Sequence, residues 1–188
     1  VFHPNGTGGM SMEEMIDQGL FNGVFDLTTH EITDWMYNGL HAGGPTRLDA
    51  AARTGVPQVV VPGCVDFILM GPIDKLEPEF RKRKTYNFNP AVSLVSTTKE
   101  EMEHIASVMA EKLNRSKGPV LVLIPLRGFS MYCHPGEPMF DPERDKAFIN
   151  ALKSKLDPRI SVLDVDAHIN DPLFAEISVS QLVKLMGN

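Results

Sequence analysis

The sequence predicts an α/β fold, a three-layer sandwich around a mostly parallel sheet of Rossmann-like or flavodoxin-like type. Short apolar runs rich in β-branched residues recur along the chain, and segments with helical periodicity separate them. This alternation is typical of parallel strands joined by crossover helices. The length of 188 residues, with 43% hydrophobic and 22% charged residues, fits a single α/β domain over residues 1–188.

The elements follow from these patterns in chain order. Strands are predicted at residues 23–27, 57–62, 120–124 and 160–165. Helices are predicted at residues 12–18, 31–38, 46–54, 99–114, 142–156 and 172–186. The helix at 99–114 has one apolar stripe, and Thr98 with Glu101 forms the pattern of a capping box before it. Asp141 and Asp171 each precede a proline, which predicts a helix start with an N-cap aspartate.

One stretch breaks the alternation, at residues 67–89. It contains two prolines and the basic cluster at residues 81–84, and it lies between two strand patterns. We expect a long excursion over the surface there, which is equally consistent with a lid or interface segment and with a solvated loop. The basic cluster is expected to be a solvated face, with a phosphate or partner contact as the alternative.

Composition excludes several classes of function. The net charge of −6 argues against nucleic acid or an anionic membrane as the main partner. The longest apolar run, at residues 120–126, is too short to cross a bilayer, and no signal peptide pattern is present, so a cytoplasmic location is expected. Cys64 and Cys133 do not form a C-x-x-C pair and are expected to be free thiols. Val1 to His3 resemble the end of a strand, so we expect the chain to begin inside a longer polypeptide.

The glycine-rich segment at residues 1–10 is followed directly by a helical pattern, and this order predicts an anion-binding loop. Gly6, Gly8 and Gly9 would let backbone N–H groups approach a phosphate or carboxylate, and the helix start would add unpaired donors. The segment matches neither the P-loop nor the dinucleotide fingerprint. A glycine-rich turn without a ligand is therefore equally consistent with it.

Polar residues also follow each predicted strand, where ligands bind in doubly wound sheets. We therefore expect a binding cleft along this rim. Asp166, His168, Asn170 and Asp171 are candidate ligands of a divalent metal, and Asp26 or Glu31 could join them. For His168 we favour the alternative, a neutral histidine that a backbone carbonyl satisfies.

Two turns resemble nucleophile turns without completing the Gly-x-Ser-x-Gly pattern. They contain Ser130 and Cys64. A serine or cysteine hydrolase would need a partner histidine that the sequence does not identify, so this function is disfavoured.

A set of short motifs spread over the whole chain resembles one family. The motifs are, in chain order, Phe2-His3 with Gly6 to Gly9, Asp26 to Thr29, Pro57 to Val59, Pro62-Gly63, Asn89-Pro90, Glu111 to Asn114, Pro125-Leu126 with Gly128 and Ser130, and Asp164 to Pro172. On these motifs the chain resembles the tomato mosaic virus resistance protein-like ATP-binding family of largely uncharacterised bacterial, fungal and plant proteins. It is similar to the C-terminal lobe of that two-lobed family. At position 5 an asparagine stands where the family loop usually has threonine, so an amide replaces a hydroxyl.

The resemblance implies a lobe that binds ATP or another phosphoryl ligand in the cleft between two lobes, with Mg²⁺ as a possible cofactor. The ligand-binding candidates are Gly6, Thr7, Gly8, Gly9, Thr28, Thr29 and Gly63. The expected partners are an N-terminal lobe of the same protein, a second copy in a homo-oligomer and a small-molecule ligand.

Two other functions remain open. One is an enzyme that acts on a small phosphorylated or carboxylated metabolite, with His168 or His3 transferring a proton and Asp166 orienting it or holding a metal. The other is a protein-interaction module that uses the surface at residues 67–84.

Overall fold

The computed structural model describes residues 1–187, and these residues form two sheets with helices packed around them. The elements are, in chain order, α1 (Thr7–Asp17), β1 (Val24–Thr28), α2 (His30–Met36), α3 (Asp49–Thr54), β2 (Gln58–Gly63), β3 (Phe67–Met70), a 3-10 turn (Ile73–Lys75), α4 (Pro78–Arg81), β4 (Thr85–Asn89), β5 (Val92–Ser96), α5 (Lys99–Asn114), β6 (Val120–Pro125), α6 (Pro142–Lys155), β7 (Ser161–Val165) and α7 (Pro172–Met186).

The main sheet has four strands in the order β1-β2-β6-β7, and every pair in it is parallel. The two central strands are buried along their whole length, which explains why their sequences are apolar without alternation. Val60 and Val122 pack on one face with α5 and α6, whereas Val59 and Leu121 pack on the other face with α7. The predicted three-layer α/β fold is confirmed.

The four predicted strands and the helices at 99–114 and 172–186 are confirmed. Helix α1 begins at Thr7, five positions before the predicted start, because the glycines of the loop form its first turn. Residues 1–3 form no strand in the structure, so the prediction of a strand end there was wrong.

The prediction of a surface excursion at residues 67–89 was only partly right, because most of residues 71–89 are exposed but residues 67–70 and 85–89 form strands. Strands β3, β5 and β4 form an antiparallel sheet in that order, and Ile68 and Val95 are completely buried in it. Arg144 links α6 to this sheet, since its guanidinium donates to Asp66 O just before β3 at 3.1 Å and to Ser96 Oγ of β5 at 2.6 Å. The basic cluster faces solvent in part, and its Arg83 pairs with Glu101 at 2.7 Å.

Two of the three predicted N-cap side chains accept a helix N–H in the structure. Thr98 and Glu101 form the reciprocal capping box, and Asp141 accepts the N–H of Arg144 at 3.1 Å. Asp171 stands at the N-cap of α7, but its carboxylate accepts the N–H of His168 at 2.8 Å rather than a helix N–H.

Two predictions about composition can be compared with the structure. Cys64 and Cys133 are free thiols, as predicted. No helix within residues 1–187 is long and apolar enough to cross a membrane.

Candidate ligand pocket beside the glycine-rich loop

A cavity with a volume of about 500 Å³ lies between the glycine-rich loop and β1. Aromatic and aliphatic side chains form most of its walls, including Phe2, Phe21, Phe25 and Leu27. Its polar lining comes from Asp26, Glu31, Arg47, His3 and Thr28. Mostly apolar walls with a few converging polar groups are typical of small-molecule sites.

Arg47 lies at the base of this pocket and is 2% exposed. Its Nη1 and Nη2 donate to the two carboxylate oxygens of Asp26 at 2.5 and 2.7 Å, and its Nε donates to Glu31 at 2.7 Å. Glu13 approaches the same guanidinium at 3.4 Å. One buried cation therefore faces three carboxylates that come from α1, β1 and α2.

The charges in this group stabilise one another. Burial lowers the pKa of Arg47, but the charges and hydrogen bonds of Asp26 and Glu31 outweigh it, so the pKa rises overall. Burial raises the pKa of Glu13, against the N–H groups of Ala50 and Leu48 and the charge of Arg47. The bottom of the pocket has more acidic side chains than basic ones. It therefore favours ligand groups that donate hydrogen bonds or carry positive charge.

Glu31 closes the glycine-rich loop from inside the protein. Its Oε1 accepts the N–H of Gly6 at 2.6 Å and the N–H of Gly9 at 3.2 Å. The side chain of Asn5 accepts the N–H of Gly8 at 2.9 Å. Three donors of the predicted anion-binding loop are therefore bonded to the protein's own acceptors in this structure.

Close packing explains the glycines of this loop without a ligand. A Cβ at Gly9 would lie 2.1 Å from Glu31 Oε2, and one at Gly8 would lie 1.9 Å from the carbonyl oxygen of His3. Gly6 adopts a φ of 85°, which side chains rarely tolerate. The structure thus requires glycine at these positions for the loop to fold, whatever it binds.

The other predicted ligand-binding residues lie at the carboxyl ends of β1 and β2. Thr28 is paired with Gly63 across the two strands, and Thr29 donates its hydroxyl to Val61 O at 3.3 Å. Of the seven predicted ligand-binding residues, Thr28 and Gly9 line the pocket. Binding by Gly6, Thr7, Gly8, Gly9, Thr28, Thr29 and Gly63 stays a prediction.

The predicted metal ligands and proton-transfer residues are divided between the two edges of the sheet. His3 lines the pocket beside β1, whereas Asp166, His168 and Asp171 follow β7 at the opposite edge. Asp166 is exposed and forms a two-point ion pair with Arg127 at 2.8 Å in both contacts. These loops follow the carboxyl ends of parallel strands and so share one rim, as expected, but β1 and β7 lie at the two opposite edges of the sheet.

The two ring nitrogens of His168 have backbone partners. Nε2 lies 2.9 Å from Ser130 O, and Nδ1 lies 3.2 Å from the N–H of Asn170. The tautomer with the proton on Nε2 satisfies both contacts. This is the arrangement of a histidine that the backbone satisfies, which was one of the two interpretations of the sequence.

Of the two residues at the nucleophile turns, Ser130 is buried and Cys64 is half-buried. Ser130 donates its hydroxyl to Asp66 Oδ2 at 2.6 Å and is 2% exposed. Desolvation raises the pKa of the Cys64 thiol, and the charge of Asp66 raises it further. Neither side chain has the activated character of a nucleophile.

The sequence analysis missed two groups of residues. The first is Arg47 with Glu13, which come together only in the folded protein. The second is His30, Asp34 and His41, whose potential ligand atoms lie within 4.8 Å of one another; within residues 1–187 they are the one set of three or more His, Cys, Asp or Glu residues that does so. Asp166 and Asp171 are not part of such a set, and their role as metal ligands stays a prediction.

Comparison with known proteins agrees with the resemblance that the motifs indicated. Residues 1–186 match the C-terminal domain of the uncharacterised protein family UPF0261. The chain belongs to the UPF0261 family.

Proteins similar to this chain come from bacteria and from a plant. The chain is 41% identical to a UPF0261 protein of Clostridium tetani over 99% of its own length and 46% of the relative. It is 38% identical to a UPF0261 protein of Rhizobium meliloti, over 96% of the chain and 46% of the relative. It is 35% identical to the ToMV resistance protein Tm-1(GCR237) of Solanum lycopersicum, over 98% of the chain and 25% of that protein. The chain thus spans less than half the length of these relatives.

Proposed function

We propose that this UPF0261 domain binds a nucleotide, with ATP as the first candidate, in the pocket between the glycine-rich loop and β1. The observation that carries the proposal is the pocket itself, with a volume of about 500 Å³, apolar walls and a buried polar base. A nucleoside is of suitable size and character for such a cavity. ATP is the ligand that the resemblance implies.

The chemistry of the walls favours a particular orientation of the ligand. Phe2, Phe21 and Phe25 offer apolar surface to a planar base. Asp26 and Glu31 are acceptors for ribose hydroxyls or an exocyclic amino group. The phosphates would then extend toward the start of α1, where the helix dipole favours negative charge.

Glu31 limits how a phosphate can bind to the glycine-rich loop. Because its carboxylate already accepts the N–H groups of Gly6 and Gly9, a phosphate must displace it or bind beside it. A Mg²⁺ ion would relieve the repulsion between carboxylate and phosphate, and Asp26 and Glu31 carry the oxygen donors that Mg²⁺ prefers. We therefore expect binding to be tighter with Mg²⁺ than without it.

Calorimetric titration of ATP, with and without Mg²⁺, tests the proposal. The titration is run on this chain and on a UPF0261 protein of the relatives' full length, because the chain spans 46% of the relative from Clostridium tetani. Leu27 lines the pocket and is 38% exposed, so Leu27→Asp puts a charge beside the ligand without burying it. We expect it to weaken ATP binding at least about 10-fold, a cost of roughly 1.4 kcal/mol.

Leu173→Asp is the matched control, since Leu173 is 52% exposed on α7 and does not line the pocket. It should leave ATP affinity unchanged. Equal affinity in the two variants would remove the pocket assignment, and no heat or thermal stabilisation in either protein would remove ATP as the ligand. Adenosine should compete with ATP better than inorganic phosphate does, because the acid-rich base of the pocket disfavours anions.

A homo-oligomer and a cytoplasmic location remain expectations from the sequence. Virus resistance is named for the tomato relative and is not proposed for this chain. The enzyme alternative depends on His168 and Asp166, and it predicts loss of turnover in His168→Ala. The backbone partners of His168 favour an unchanged rate.

A further inference from the structure

Two histidines and an aspartate meet at α2, next to the pocket but outside the residues that line it. His30 is the first residue of α2, Asp34 follows one turn later on the same face, and His41 comes from the loop after the helix. His30 and Asp34 are buried, whereas His41 is half-buried. The group is therefore open to solvent on the side of His41.

The distance between the two imidazoles allows two interpretations. His30 Nε2 and His41 Nδ1 are 3.3 Å apart. An N–H···N hydrogen bond has about this length, and so does the separation of two nitrogens that bind one tetrahedral zinc ion, roughly 3.4 Å. The neighbouring groups favour the second interpretation.

Asp34 is a buried carboxylate without a cation beside it. It accepts the N–H of Leu69 at 3.0 Å and the N–H of His41 at 2.8 Å, and no Lys or Arg in the described residues forms an ion pair with it. Buried charged groups in proteins are usually paired with an opposite charge or bind a metal, so a cation is expected beside this carboxylate when it is ionised.

The two histidines lie beside this carboxylate, since one potential ligand atom from each of the three side chains falls within 4.8 Å of the others. The ring nitrogens that face each other are Nε2 of His30 and Nδ1 of His41. Two imidazoles and one carboxylate therefore converge on a single point.

We propose that His30, Asp34 and His41 bind a divalent transition metal ion, with Zn²⁺ as the first candidate. Two imidazole nitrogens and one carboxylate oxygen are a donor set that zinc uses in proteins, and three protein ligands leave a position for water or another ligand. Imidazole donors also suit other transition metals, whereas Mg²⁺ and Ca²⁺ prefer sites made of oxygen alone. The site is separate from the nucleotide pocket, and neither proposal requires the other.

The test titrates Zn²⁺ into the chelator-treated chain by calorimetry and follows Co²⁺ by its visible absorption spectrum. We expect one Zn²⁺ per chain, a raised melting temperature, and Co²⁺ bands of a site with nitrogen ligands. His41→Ala removes the half-buried ligand and should weaken Zn²⁺ binding at least about 10-fold. Excess Mg²⁺ should not compete with Zn²⁺.

His134→Ala is the control, because His134 is an exposed histidine at a distance from this group. It should leave Zn²⁺ affinity unchanged. Asp34→Asn keeps the shape of the side chain and provides a second variant, which should also weaken binding. The absence of stoichiometric Zn²⁺ binding, or equal affinity in His41→Ala, His134→Ala and the unaltered chain, would overturn the proposal and leave a hydrogen-bonded histidine pair. No nucleotide enters these measurements, so their failure is distinct from a failure of ATP binding.

Discussion

Arg47 and Asp26 form a two-point ion pair inside the protein, with contacts of 2.5 and 2.7 Å. Arg53 and Asp17 form a pair on the surface with contacts of 2.5 Å. The side chain of Arg47 is 2% exposed and that of Arg53 is 54% exposed. Both are Arg–Asp pairs, but Arg47 bonds Asp26 through two nitrogens and also faces Glu31 and Glu13, whereas Arg53 bonds Asp17 through Nη2 alone. The comparison therefore sets a buried charge network against a single surface pair.

Arg47→Met should destabilise the domain by about 3 to 5 kcal/mol, because it leaves buried carboxylates without their cation. Arg53→Met should cost less than about 1 kcal/mol, because water already solvates that pair. Urea denaturation followed by circular dichroism measures both. Similar losses of stability in the two variants would show that the ion pairs of Arg47 do not hold α1, β1 and α2 together.

The parallel sheet was predictable because β2 and β6 are buried on both faces, and this burial makes their sequences continuously apolar. The antiparallel sheet was not predictable in the same way. Strand β3 has four residues, and β4 is polar and mostly exposed, so neither gives a long periodic pattern. Prolines nearby suggested a loop, and the packing of β3 against α2 outweighed that signal.

The candidate site was only partly predictable for a related reason. The glycine-rich loop has a local pattern, but its partner Glu31 is 22 to 25 residues away in the sequence. Arg47 lies in a loop, and its partners lie 16 to 34 residues away, so no spacing identifies it. His30 and Asp34 do have the spacing of one helical turn, and that signal was available in the sequence.

Gly63→Ala should destabilise the domain by about 2 to 3 kcal/mol, because a Cβ there would lie 2.2 Å from the carbonyl oxygen of Leu27 in the neighbouring strand. Gly71→Ala is the control, since nothing lies within 4 Å of its Cβ position, and its effect should stay within about 0.5 kcal/mol. Thermal and urea unfolding measure the difference. A Gly63→Ala variant of unaltered stability that had lost ATP binding would instead favour a direct role in the ligand site.

Cys64 and Cys133 should react slowly with a disulfide reagent in the folded protein at neutral pH. Burial raises the pKa of both thiols, and Cys133 also donates to Asp145 Oδ2 at 3.0 Å. We expect both to react at least about 100-fold faster in denaturant, where the thiolate is accessible. Rapid reaction of one equivalent in the folded state, lost in Cys64→Ser, would restore Cys64 as a nucleophile candidate.

Asp66 should make the domain less stable as the pH rises from about 4 to 7. Its Oδ2 accepts the Ser130 hydroxyl at 2.6 Å, whereas its Oδ1 has no hydrogen-bond partner. Burial raises its pKa from 3.8 to about 6 and Asp145 adds to the shift, although Arg144 and Ser130 oppose it. Between pH 3.8 and about pH 6 the Asp66 carboxyl keeps its proton in the folded state and releases it in the unfolded state. The free energy of unfolding therefore falls as the pH rises, and the whole loss of stability is present above about pH 6.

Asp66→Asn replaces the acid with a neutral side chain of the same shape, whose amide oxygen can still accept the Ser130 hydroxyl. The free energy of unfolding of the variant, minus that of the unaltered chain, should rise between pH 4 and pH 7 by on the order of 2 to 3 kcal/mol. The contributions of Asp145 and the other carboxylates largely cancel in this difference, because both proteins contain them. A difference that stays constant over this range would mean that Asp66 titrates alike in the folded and unfolded states, and that water or a nearby cation reaches its unpaired oxygen.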